Sequence, residues 1–178
     1  VIQESGVRIG FYHAALRNLA RPVDRLPFFY LVGGVAALVS GLLAEGARVR
    51  LAGVCPTPVL AYLTRKWDAG CGIAISASHN PAADNGLKVI SREGLKVPDE
   101  IEREIEAVMA AGGPAAGGNG RVGTLDDSHG RVTEYVEDLL TQGALGLSLK
   151  GMRIVVDGAN GAAFQLAPRI FQTLGADV

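Results

Sequence analysis

From residue 35 onward the chain alternates between segments with apolar residues at helical spacing and short apolar runs closed by glycine, a pattern suited to a sheet flanked by helices. Residues 35–44 read as an apolar helix stopped by Glu45-Gly46, and residues 47–52 as a strand. Thr57-Pro58 opens the next helix, with threonine as its cap, proline in the first turn, Val59, Leu60 and Leu63 facing the core, and an end between Asp68 and Gly70. Residues 71–76 form a short apolar run that suits a buried strand. Residues 87–90 and 95–97 flank Ser91-Arg92-Glu93-Gly94 as the two strands of a hairpin. Asp99 and Glu102 make a capping pair ahead of Ile101, Ile105, Val108 and Met109, which share one helical face. The Gly/Ala/Pro/Asn run 112–120 reads as a surface loop. Val132, Tyr135, Val136, Leu139 and Leu140 mark a further helix that stops at Gly143. Residues 152–156 then read as a strand that leads through Asp157-Gly158-Ala159-Asn160-Gly161 into a helix containing Leu166, Ile170 and Leu174, and Asp177-Val178 opens another strand.

Composition narrows the class of protein. Hydrophobic residues make up 48% and charged residues 20%, as in a globular chain rather than a solvating tail. A formal net charge of −1 without a long Lys/Arg run gives no electrostatic footprint for nucleic acid or an anionic membrane. The 19 residues 26–44 carry no charge, a length close to that of a bilayer span. Pro27, Gly33-Gly34 and Ser40-Gly41 interrupt the run, and it continues at once into a strand-like alternation, so it reads as buried core and no membrane partner is expected. Cys55 and Cys71 are too few for a disulfide framework or a metal site and are expected as core or near-core thiols in a reducing, cytoplasmic setting.

The chemistry concentrates after the strand 71–76, in Ile75-Ser76-Ala77-Ser78-His79-Asn80-Pro81, followed by Asp84-Asn85-Gly86 and Lys88. A serine that stores a phosphoryl group needs an exposed strand-to-loop turn, with backbone amides and a cation to offset a charge of about −2. Ser78 has that setting in the sequence. The heptapeptide, the Asp-Asn-Gly-x-Lys that follows it, Cys55-Pro56-Thr57-Pro58 before it and Gly94-Leu95-Lys96-Val97-Pro98-Asp99 after it resemble the α-D-phosphohexomutases from about Val35 to the end of the chain. The resemblance implies a mixed α/β sheet flanked by helices over residues 35–147, the family's first domain. Residues 148–178 would then be the first strand and helix of a second, similar domain.

It also implies that phosphorylated Ser78 passes its phosphoryl group to a sugar phosphate through a bisphosphorylated intermediate, moving phosphate between the 6- and 1-positions. Mg²⁺ would bind a phosphate oxygen on Ser78 and three aspartates of a separate loop that this chain does not contain. Lys88 is expected to take the hydroxyl proton or offset the moving charge, and His79 to contact sugar or phosphoryl group. Ser76 is a loop hydrogen-bonding residue and a candidate for secondary phosphorylation, or simply the end of a strand, and Asn80-Pro81 and Asp84 shape turns. The glycines of Asp157-Gly158-Ala159-Asn160-Gly161 lack a dinucleotide fingerprint and read as structural.

Residues 1–34 depart from the family, since they carry neither Thr-Asp-Gly-Ile-Arg-Gly nor Asp-Thr-Arg-x-Ser-Gly; a frame error, a replaced segment and divergence all fit that switch. With the missing arginine, aspartate loop, sugar-reading loop and phosphate-gripping domain, the chain is expected to be an N-terminal fragment that does not turn over. The local motif favours the branch acting on glucosamine phosphates over the phosphomannomutase/phosphoglucomutase branch. The expected partner is a hexosamine or hexose phosphate. A reading of another class is a non-catalytic domain that binds sugar phosphate or pairs with a subunit.

Overall fold

The computed structural model describes residues 2–4, 29–76, 86–111, 121–159 and 161–178. Five strands form one sheet in the order β4-β3-β1-β2-β5: β1 is Ile2–Glu4, β2 Arg48–Leu51, β3 Ala69–Ser76, β4 Gly86–Ser91 and β5 Thr124–Asp127. The β1 strand is antiparallel to both β2 and β3, β3 is antiparallel to β4, and β2 is parallel to β5. The sheet is therefore mixed, as the resemblance implies. Two antiparallel steps relate β2 to β3, so β2, β3 and β5 run in the same direction and their carboxyl ends share one edge of the sheet.

Helices cover both faces. Helix α1 (Phe29–Ala44) begins six residues before the expected start at Val35, because the charge-free apolar run extends that far. Its Leu38 and Leu42 are fully buried against Val49, Cys71 and Ile73. Burying each such leucine contributes about 1.5–3 kcal/mol. No helix of the described residues is long and apolar enough to cross a membrane. Helix α3 (Asp99–Ala110) lies against β4, where Ile105 joins Val89 and Val97 in a smaller cluster. Val108 is only half-buried and Met109 is 43% exposed, so the buried face of α3 is narrower than its four apolar positions suggest.

The opposite face carries α2 (Thr57–Lys66) and α4 (Val132–Asp138), the latter running on into a π turn at Leu139–Gly143. Val59, Leu60 and Leu63 bury with Ala52, Ala69 and Ile90, and Tyr62, Trp67, Val132 and Tyr135 pack around them. Tyr62 and Tyr135 meet edge to face at 5.4 Å between ring centres. Alternation along β3 and β4 sorts the two faces: Cys71 and Ile73 point to α1, whereas Gly72 lies beneath α2. The hydroxyl of buried Thr64 bonds the Leu60 carbonyl at 2.7 Å and occupies the space that a side chain at Gly72 would need. Cys71 is buried, Cys55 is half-buried, and neither forms a disulfide.

Four expectations are corrected. Thr57 does not cap α2: Pro56 holds the cap position, and its carbonyl accepts from the amides of Val59 and Leu60 at 2.9 and 3.3 Å. Asp99 and Glu102 do not cap α3 either, since Pro98 is the cap residue; both carboxylates grip Lys96 Nζ, at 3.0 and 2.9 Å. The hairpin's second strand is reduced to the bridge between Ile90 and Lys96, beyond a turn in which the Gly94 amide donates to the Ser91 carbonyl at 2.9 Å with Gly94 at φ +77°. Residues 152–156 form no strand. A single parallel bridge joins Arg153 to Asp177 around α5 (Leu166–Thr173), because parallel pairing is weak without neighbouring strands and covered faces. The run 112–120 lies outside the described residues.

Candidate active site

The residues that should carry the chemistry extend from the end of β3 to the start of β4. Ser76 and Gly86 are partners in the antiparallel ladder, and the register continues inward through Ile75 with Leu87 and Ala74 with Lys88. The loop is thus closed at its base by a regular pair of strands. Ser78 and His79 themselves lie between those partners and outside the described residues, as do Asn80, Pro81 and Asp84. In the chain Ser78 follows the last residue of β3 by two positions.

Lys88 enters β4 two residues after Gly86, from the same edge of the sheet at which β2, β3 and β5 end. That edge is where ligands bind in open α/β sheets. Lys88 is exposed, and it makes no ion pair with a described residue. It borders a cleft of about 400 Å³ with Thr57 and Pro58 from the first turn of α2, Ala61 one turn on, and Lys96 and Glu102 across from it. Sequence reading linked Lys88 to the loop by spacing alone. The structure adds that the start of α2, within Cys55-Pro56-Thr57-Pro58, is its neighbour.

Electrostatics around the cleft are uneven. Hydrogen bonds from Lys96 to Glu102 and to Asp99 push the lysine's pKa up to about 12, so it remains a cation committed to those two carboxylates. Burial raises the Cys55 thiol, which leaves it a poor nucleophile.

Two other groups bear on chemistry. His129 follows β5 and pairs through Nδ1 with Asp127 Oδ1 at 2.6 Å, while its backbone amide donates to the same oxygen at 3.1 Å. Its ring lies over Gly53. The sequence reading gave this histidine no role, and the Asp-x-His spacing was its available signal. Asp157 accepts from the Ala159 amide at 2.9 Å, and Gly161 donates to the Gly158 carbonyl at 2.9 Å. The turn therefore bonds to itself, in keeping with its structural reading. Among the described residues no three His, Cys, Asp or Glu side chains come together to hold a metal ion, so they do not by themselves fit the Mg²⁺ that the resemblance implies.

Comparison with known proteins agrees with this geometry. Residues 35–115 match the family model for phosphoglucomutase/phosphomannomutase, alpha/beta/alpha domain I. The chain is 48% identical over 145 residues to the phosphoglucosamine mutase of Marinomonas sp. (strain MWYL1), a match covering 80% of this chain and 32% of that protein. It is 48% identical over 146 residues to the phosphoglucosamine mutase of Pelotomaculum thermopropionicum, covering 80% and 32%. The phosphoglucosamine mutase of Burkholderia mallei is 49% identical over 145 residues, covering 80% and 31%. The chain thus spans about a third of the length of the curated relatives it matches. With a mixed sheet between two helical layers and the serine segment set between β3 and β4, residues 35–115 match the first domain of the phosphohexomutases, and the chain is similar to that family.

Proposed function

We propose that this chain carries the phosphoryl-holding domain of an enzyme that interconverts glucosamine 6-phosphate and glucosamine 1-phosphate, with Ser78 as the carrier. The observation that bears most weight is the β3–β4 register. A ladder closed at Ser76 and Gly86 gives the serine segment a rigid base, and Lys88 enters from the same end. The names of the relatives support the amino-sugar substrate over glucose or mannose phosphates.

In the first half-reaction the oxygen of the sugar's C1 hydroxyl attacks the phosphorus on Ser78. The bond from phosphorus to Ser78 Oγ breaks, and the hydroxyl proton leaves to a base or to water. The product is the 1,6-bisphosphate. After the sugar reverses, Ser78 Oγ attacks the 6-phosphoryl group, the bond from phosphorus to the sugar's O6 breaks, the serine's proton passes to O6 directly or through water, and glucosamine 1-phosphate leaves. Lys88 offsets charge on the moving group, and His79 contacts the sugar or the phosphoryl group. Mg²⁺, when bound through a phosphate oxygen on Ser78, would neutralise charge there. A cytoplasmic setting suits phosphorylated sugars as substrates.

The test uses the phosphoryl-return step. The chain is incubated with Mg²⁺ and, in separate reactions, with the 1,6-bisphosphates of glucosamine, glucose and mannose, and intact mass is followed with time. One phosphoryl group should be gained, fastest from the glucosamine compound. A faster gain from the mannose or glucose compound would move the assignment to the phosphomannomutase/phosphoglucomutase branch. No gain from any donor would overturn the carrier reading.

A further inference from the structure

We draw no further inference here: the strongest candidate, the apolar cleft of about 400 Å³ between the first turns of α2 and strand β4, shares Lys88 with the site already described, and nothing in the structure shows what else would cover it.

Discussion

At the scale of single residues, the contact that sets β3 against α2 is the absence of a side chain at Gly72. A Cβ there would stand 2.3 Å from Thr64 Oγ1 and 3.4 Å from Leu60 Cγ, and Thr64 is fully buried. Gly72→Ala should therefore destabilise the protein by about 1–3 kcal/mol, the usual cost of overpacking. Adding Thr64→Ala should recover most of that loss, because it removes the clashing hydroxyl and leaves Leu60 free to adjust. Urea unfolding of the two single variants and the double variant measures the coupling; simple additivity would mean that α2 does not press on β3 at this point. The glycine is visible in the sequence, but its reason is not, since Thr64 reaches it only once α2 lies across the sheet.

At the scale of elements, an ion pair ties the start of β3 to the turn beyond β4. The Arg92 Nε donates to Asp68 Oδ1 at 2.6 Å, and a second guanidinium nitrogen bonds Oδ2 of the same carboxylate. The Arg92 hydrogen bonds hold the Asp68 carboxyl below its ordinary value of 3.8. A carboxyl depressed in the folded state contributes stability that is present above its unfolded value and is lost as pH falls through its folded one. Arg92→Met should thus lower the melting temperature slightly at neutral pH, and the gap from the parent should close as pH is taken below about 4. A gap that persists at low pH would show that the arginine acts by packing instead. Asp68→Asn is the matched variant, because asparagine tolerates the φ of +52° found there.

Element by element, the sequence was informative where periodicity and burial agree. Helices α2, α3 and α4, strands β2, β3 and β4 and the turn at Gly94 were legible from residue pattern. Strand β5 was not. Thr124-Leu125-Asp126-Asp127 has no apolar alternation, and its extended form comes from parallel pairing with Arg48–Leu51. Strand β1 was hidden for a related reason: three residues carry no period, and its central place depends on hydrogen bonds from both neighbours. The two missed caps share one cause. Pro56 and Pro98 each precede the expected cap residue and take the cap position, which frees Asp99 and Glu102 to hold Lys96.

At the scale of the whole molecule, the buried clusters among the described residues are built from the sheet, the helices up to α4 and the turns that join them. Residues 148–178 add no buried hydrophobic residue, and Leu166 is the member of that segment packed against a cluster. Val155 is 97% exposed, and Met152 and Phe164 are about half exposed. We propose that residues 35–147 and 148–178 belong to separate units. A chain ending at Leu147 should unfold cooperatively with a melting temperature within a few degrees of the parent's, as expected when a segment with little buried area is removed. Loss of a cooperative transition would place the segment inside the first unit.

The central claim concerns one oxygen atom, and the site was legible in the sequence to the extent that a motif at the end of a strand names Ser78. The structure contributes the frame on either side, from Ser76 paired with Gly86 to Lys88 at the head of β4. Its most direct test is to map the phosphate by fragment mass spectrometry after reaction with glucosamine 1,6-bisphosphate, comparing the parent with Ser76→Ala, Ser78→Ala and Lys88→Met. Phosphate is expected on Ser78 in the parent and in Ser76→Ala, none in Ser78→Ala, and a rate reduced by about 10²-fold or more in Lys88→Met with an unchanged melting temperature. Phosphate found on Ser76 in place of Ser78, or retained in Ser78→Ala, would contradict that expectation.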